Sequence, residues 1–304
     1  MKKNLLYALV LSLGLAACLD DGTEKLPTLV ERLSENSSFS LFLEAMDHAG
    51  VTASLDGSLY YTLLVPTNGG FQAYLDRHHG GDFRSMPDTV LRNLIFYHLQ
   101  LGRIPRGEFT SNYYASLAAG YDGKRLVLLV ENDGASVVFN THARMISDAV
   151  EAKDGNIFAL DSVIVPPSLL DVLRQNDNFS QLLASVDTAG LRSTLDTSQG
   201  LTLLIPTDGA FEQYYEDNSV SRLSELGREH ISDLARFHVV DRFLTYENMQ
   251  NLATGSDYRT LLPNRRVNIR NTGQITFDST AQGILYDLFT TNGVVHILNG
   301  VLEP

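Results

Sequence analysis

One unit of about 140 residues is written twice in this chain, and that fixes its domain organisation before any helix or strand is assigned. Phe39-Ser40-Leu41-Phe42-Leu43 returns as Phe179-Ser180-Gln181-Leu182-Leu183. Asp47-His48-Ala49-Gly50 returns as Asp187-Thr188-Ala189-Gly190, and Thr62-Leu63-Leu64-Val65-Pro66-Thr67 as Thr202-Leu203-Leu204-Ile205-Pro206-Thr207. Leu55-Asp56, Phe71 and His98 recur as Leu195-Asp196, Phe211 and His238, every pair 140 positions apart. Near the end of each unit the offset falls to 138: residues 155–164 lie over 293–302, and Pro166 over Pro304. A register held this long implies two homologous domains, 26–166 and 167–304, each large enough for its own core. Pro166-Pro167 is a short, stiff joint between them.

Each unit runs helices first and strands after. Leu29, Val30 and Leu33, then Phe39, Phe42, Leu43 and Met46, fall at helical spacing. Asn36-Ser37-Ser38 supplies an N-cap and Gly50 a stop. Residues 62–65 form a β-favouring run closed by Pro66, and a helix carrying Phe71, Tyr74 and Leu75 follows. Pro87-Asp88 opens another helix through Val90, Leu91, Leu94, Ile95 and His98. Residues 126–130, 136–139 and 157–165 are β-branched and aromatic, with Asp133-Gly134 marking a hairpin turn. The class expected is α+β, with helices packed on a β-sandwich or wedge in each domain. Thr67-Asn68 and Thr207-Asp208 are expected to cap the helices that they precede.

The spacing of these pieces resembles the fasciclin-like (FAS1) domain over essentially the whole chain beyond the leader. The first family motif is matched by Tyr61-Thr62-Leu63-Leu64-Val65-Pro66-Thr67-Asn68-Gly69-Gly70-Phe71 and by its copy 201–211. The central Tyr-His motif is matched by Tyr97-His98, and as Phe-His by Phe237-His238. The closing motif is strongest in Thr291-Asn292-Gly293-Val294-Val295-His296-Ile297-Leu298-Asn299-Gly300-Val301-Leu302. The first domain departs there, with Phe158 where the second has His296. The resemblance implies adhesion or other extracellular contact, and in animal relatives the Tyr-His region is implicated in it. Tyr97, His98, Phe237, His238 and His296 are therefore candidate binding or structural residues. Each histidine sits in an apolar stretch, where a buried neutral imidazole with hydrogen-bonded partners is the bland expectation.

The first residues read as an address. Lys2-Lys3, a mostly apolar stretch from 5 to 15 and Leu15-Ala16-Ala17-Cys18 have the layout of a secretory signal over 1–17, too short for a comfortable bilayer span. The ending resembles a bacterial lipoprotein box, in which the thiol accepts a lipid, so Cys18 is the expected lipidation site. An ordinary cleaved signal is the plainer alternative. Residues 18–25 form a polar tether whose Asp20-Asp21 resembles the export signal of Bacteroidetes surface lipoproteins. The location implied is the outer membrane, facing outward, with the acyl chains as the membrane contact.

Composition narrows the chemistry. A formal net charge of -13 repels phosphate backbones, so no nucleic-acid partner is expected. The single Cys forbids an intrachain disulfide and a multi-Cys zinc site. The eight His, at 48, 78, 79, 98, 142, 230, 238 and 296, include no His-Glu-x-x-His pair, and His78-His79 has the look of an exposed loop. No Gly-x-Ser-x-Gly elbow, Walker loop or dinucleotide fingerprint occurs. No catalytic set, cofactor or metal is expected. Tyr60-Tyr61, Tyr113-Tyr114 and Tyr214-Tyr215 are possible stacking or interface surfaces, with at most one of each pair exposed if strands hold them. The function expected is a non-enzymatic, lipid-anchored envelope protein in adhesion or contact with an unidentified protein or glycan. The alternative is a surface lipoprotein that captures glycans for a polysaccharide-uptake system.

Overall fold

The computed structural model describes residues 26–252 and 254–304; the expected leader and tether, with Cys18, lie outside the described residues. The first domain begins with α1 (Leu29–Ser34) and α2 (Ser40–His48). Thr28 and Glu31 close a capping box on α1, and Asn36 accepts the Ser38 N–H to start the turn that leads into α2. Gly50, at φ 68°, ends that helical run in a left-handed conformation. Then come β1 (Tyr61–Pro66), α3 (Asn68–His78), α4 (Asp88–Tyr97) and β2 (Leu99–Leu101). The chain finishes the domain as a meander: β3 (Asn112–Ala119), β4 (Arg125–Asn132), β5 (Val137–Phe139), β6 (Ala143–Arg144), β7 (Val150–Ala152) and β8 (Gly155–Leu160).

The domain has three layers because β1 and β8 are covered on both faces. They pair in parallel at the middle of the sheet β2-β1-β8-β7, with Tyr61 opposite Gly155 and Pro66 opposite Leu160. Leu63 and Val65 pack with Phe42, Phe71 and Ile95 on the helical side. Leu64 points the other way, into Phe109 and into Leu128 and Phe139 of the sheet β3-β4-β5-β6. A run apolar on both faces is what a buried parallel pair requires. A Cβ on Gly155 would lie 1.9 Å from the Tyr61 carbonyl oxygen, and one on Gly293 2.4 Å from that of Leu201, so only glycine permits this strand approach.

The second domain repeats the plan with α5 (Leu169–Arg174), α6 (Ser180–Ala189), α7 (Arg192–Thr197), β9 (Leu201–Pro206), α8 (Asp208–Asp217), α9 (Arg228–Phe237), β10 (Val239–Val240) and α10 (Tyr246–Gln250). Its meander is β11 (Ser256–Arg259), β12 (Arg266–Asn271), β13 (Ile275–Phe277), β14 (Ala281–Phe289) and β15 (Gly293–Leu298). The two domains differ in one strand. β14 is continuous and bulged, with register shifts between Gly283 and Leu288, and it joins all seven strands into one sheet, β10-β9-β15-β14-β13-β12-β11. In the first domain the same stretch breaks into β6 and β7, and the sheet splits into two.

The outer face of the first domain's meander is buried against the second domain. Val127 is 6% exposed and belongs to the second domain's core, with Leu288 and, at its margin, Tyr113 and Leu285. The ring of Tyr121 lies 4.9 Å from that of Phe243, and the Tyr121 N–H donates to the Thr290 carbonyl at 3.0 Å. The proline joint is held from both sides: Asn140 donates to the Val165 carbonyl at 2.9 Å, and the Thr291 N–H to that of Pro167 at 2.9 Å.

Three local expectations are corrected. The strand expected over 157–165 ends at Leu160, because Asp161 turns away to accept the Arg144 N–H and Ile164 is claimed by His98. Asn68 and Asp208 do not cap the helices they precede; Thr67 and Thr207 do that. Asn68 instead accepts the Leu41 N–H at 3.0 Å, and Asp208 that of Gln181 at 3.0 Å, so each holds the first turn of the neighbouring helix, α2 or α6. His78 ends α3 and His79 caps it, rather than both lying in a loop.

Candidate binding groove

The histidines of the family motif are internal latches. His98 and His238 are fully buried at the ends of α4 and α9. Each Nδ1–H donates to the helical carbonyl four residues back, Leu94 or Leu234, at 2.8 Å. Each Nε2 accepts a backbone N–H from the domain's closing segment, Ile164 at 3.0 Å or Leu302 at 3.1 Å. His296 is fully buried as well: its Nε2–H donates to the Leu244 carbonyl at 2.8 Å and its Nδ1 accepts the Asp287 N–H at 3.2 Å. One donor and one acceptor per ring define the neutral imidazole. Burial pushes all three down to about 4. Phe158, in the place of His296, packs edge-on against Phe109 at 5.8 Å.

Tyr97 and Phe237 are also core residues, fully buried and 3% exposed. The Tyr97 hydroxyl donates to the Val127 carbonyl at 2.6 Å and accepts from the Asn140 amide at 2.8 Å. In the second domain Asp278 stands at the turn where Asn140 stands, left-handed like it, and a carboxylate offers no N–H to a hydroxyl. Phe237 therefore leaves nothing unpaired. Tyr97→Phe strands one buried donor and one acceptor, and is expected to cost about 1–3 kcal/mol. Urea unfolding followed by hydrogen exchange checks this: the loss should fall on the first domain alone.

None of these five side chains is available at the surface. The tyrosine pairs behave differently from one another. Tyr214 and Tyr215 are on α8, not a strand, and both are buried. Tyr113-Tyr114 alternate across β3 as a strand dictates: Tyr114 packs into its own core, and Tyr113 faces the second domain, where its hydroxyl accepts from Asn176 at 3.1 Å.

A groove follows from this placement. One cleft of about 500 Å³ lies between β3, β4 and the segment before α6, lined by Asn112, Tyr113, Glu131, Asn132, Gln175 and Asn176. It shares Tyr113 and Leu285 with a hollow of about 280 Å³ that reaches Tyr286 and Asp287. Tyr286 in turn lines a cleft of about 490 Å³ with Tyr246, Gln250, Asn271 and Gln274. The rings of Tyr246 and Tyr286 are 4.7 Å apart at a 43° tilt. The bulge of β14 shapes this floor. Asp287 sits at φ 61°, held by His296 through its N–H and by the Tyr246 N–H through its carboxylate, 2.8 Å away. Burial keeps the Asp287 carboxyl above the usual carboxylate range, and burial followed by Asp177 does the same for Glu131. His296 is thus a positioning residue for the groove. The signal that sequence reasoning missed was Tyr286, whose ring lies over Gly283 and beside Tyr246, forty positions away.

The fasciclin domain family matches residues 37–166 and, a second time, 177–304. The chain is similar to transforming growth factor-beta-induced protein ig-h3 of Sus scrofa, at 24% identity over 279 residues, 91% of this chain and 38% of the relative. It is similar to a fasciclin-like arabinogalactan protein of Arthroderma benhamiae, at 22% over 286 residues, 90% and 65%. Protein sll1483 of Synechocystis sp. is 30% identical over 149 residues, 48% of this chain and 77% of its own. The chain therefore spans well under half of the first relative, 38% of its length. Among solved structures, the FAS1 domain pair from the insect cell adhesion molecule fasciclin I aligns with a TM-score of 0.56 at 16% identity, covering 89% of this chain and 98% of that one. That likeness establishes the same α+β domain pair. With both halves matched, this chain belongs to the fasciclin domain family.

Proposed function

We propose that this protein is a non-enzymatic, lipid-anchored envelope protein that makes extracellular contacts through the groove along β14. The observation that carries this reading is the lining. Three tyrosines, Tyr113, Tyr246 and Tyr286, share the lining with the carboxamides of Asn176, Gln250, Asn271 and Gln274, and with the acidic residues Glu131, Asp133 and Asp287, in clefts that draw on both domains. Flat aromatic faces beside neutral donors and acceptors suit a neutral polysaccharide or an extended polypeptide. Adhesion is supported by the family and by the solved pair from an adhesion molecule. Anchoring rests on Leu15-Ala16-Ala17-Cys18. Among the described residues no helix is long and apolar enough to cross a membrane.

The carboxamides favour a second reading, glycan capture for uptake. Affinity electrophoresis in a panel of neutral polysaccharides, beside surface binding to matrix proteins, separates the two. Tyr246→Ala is expected to weaken whichever binding appears by about tenfold, since one stacked ring contributes on the order of 1 kcal/mol or more. Saturable binding that Tyr246→Ala leaves untouched would remove the groove from the account. No binding to any glycan would remove the capture reading.

A further inference from the structure

One pole of the domain is used differently in the two copies. In the second domain it is a socket filled by the first: Gly200 and Phe243 receive the Tyr121 ring, and a Cβ on Gly200 would lie 2.8 Å from the Tyr121 hydroxyl. At the matching positions of the first domain stand Tyr60 and Arg103, in place of the glycine and the phenylalanine that make the socket. Leu59, Tyr60 and Leu101 are 52%, 58% and 52% exposed there. They are neighbours in space. Tyr61 pairs with Leu101, the Gly102 N–H donates to the Tyr60 carbonyl at 2.7 Å, and the Arg103 guanidinium lies 5.4 Å from the Tyr60 ring centre.

The chain enters the fold at this same pole. Arg103 donates to the Lys153 carbonyl at 3.1 Å, and the Lys153 N–H donates to the Pro27 carbonyl at 2.8 Å. Leu26, one residue before, is 45% exposed. From Cys18 to Leu26 is a span of eight residues, which reaches at most about 29 Å when fully extended. A lipid on Cys18 would therefore keep this pole within about 29 Å of the bilayer.

We infer that Leu26, Leu59, Tyr60 and Leu101, flanked by Arg103 and Lys153, form a membrane-apposed face that seats the first domain on an anionic lipid surface. The inference rests on the anchoring reading above. Aliphatic tips, a tyrosine and two cations make the composition of an interfacial contact, in which the apolar groups enter the headgroup boundary and the cations meet lipid phosphates. In a chain of net charge -13, such a seat needs its cations at the contact itself. A second copy is the poorer occupant. The loop that would mimic Tyr121, residues 260–264, carries leucines and no aromatic ring, and Tyr60 replaces the glycine of the socket.

The chain has no Trp and one Cys, so both halves of the idea can be tested separately. Mass spectrometry of the N-terminal peptide from native membranes asks whether Cys18 is acylated. Independently, recombinant protein from Cys18 onward is coupled through that thiol to maleimide-lipid vesicles of phosphatidylethanolamine and phosphatidylglycerol. In this setting Tyr60→Trp should lose emission to brominated lipid and shift to shorter wavelength. Ile284→Trp, an exposed site on β14, should do neither. Leu59→Ser with Leu101→Ser should abolish the Tyr60→Trp response without altering the circular dichroism. Equal quenching at both sites, or none at either, overturns the membrane face even if Cys18 proves acylated. A blue shift in Tyr60→Trp that grows with protein concentration in the absence of vesicles would assign the face to a second copy and overturn it as well.

Discussion

Replacing Val127 by arginine should part the two domains while leaving each folded. The side chain projects from the outer face of β4 into the second domain's core, 6% exposed. The register shows what an undocked version of the strand looks like. Leu129 and Asn268 hold equivalent places, each donating its N–H to the left-handed turn residue, Asn140 at 3.0 Å or Asp278 at 2.7 Å. Arg266 then lies over Val127, and its side chain is exposed. Arginine is thus compatible with this strand position when no domain packs on it, and Leu128 and Val130 still fill the inner core. Burying the unpaired guanidinium at the interface costs several kcal/mol, more than a contact between neighbouring domains can absorb. Small-angle scattering should report a larger radius of gyration, and cleavage near Pro166-Pro167 should accelerate. Hydrogen exchange in β1 and β8 should stay slow. An unchanged radius together with fast exchange in β1 and β8 would mean that Val127 serves its own domain.

Lowering the pH from 7.5 to 4 should destabilise the second domain more steeply than the first. In the unfolded chain an imidazole binds its proton near 6.5, whereas burial holds His98, His238 and His296 at about 4 in the fold. Between those values the unfolded state carries more protons, so stability is full above about 6.5, falls through the window and levels off below about 4. Each buried imidazole contributes roughly 1 kcal/mol per pH unit there. The second domain has two, and the first has one plus a smaller pull from the half-exposed His79, whose ring burial and then His78 lower. Asp278 and Asp287 in the second domain and Glu131 in the first, all raised by burial, oppose this only in the lower part of the window, where they take up protons in the fold. Glu31, Asp56 and Asp133 of the first domain, lowered by hydrogen bonds with Thr28, Ser58 and Ser136, add a smaller loss there. Urea midpoints for β8 and β15, read by hydrogen exchange corrected for intrinsic rates, measure the two slopes. His296→Phe, which copies Phe158, should flatten the steeper one. Parallel slopes would show that the latches do not govern acid stability.

The repeat made the domain pair and its layer order legible, because core positions recur with the same spacing and a core needs little beyond that. The motif histidines were legible as buried for the same reason: apolar neighbours on both sides leave a ring no route to water. What stayed hidden depends on partners far apart in sequence. Asn68 and Asp208 sit where a helix cap belongs, but their hydrogen bonds go to another helix. Tyr214-Tyr215 suit a strand or a helix equally until the register of α8 is known. The domain contact did leave a trace. Residues 127–130 are apolar throughout, whereas the matching Arg266-Val267-Asn268-Ile269 alternates, and only a second buried face explains the difference.

The histidine latches close each domain on its own last residues, and β8 and β15 enter the middle of their sheets, not an edge. Translation delivers those strands last. Neither half can finish its hydrophobic centre until its own final dozen residues have emerged, so the first domain can close while the second is still being made, and the second only at the end of the chain. The price of that order is slow, non-local closure of each domain.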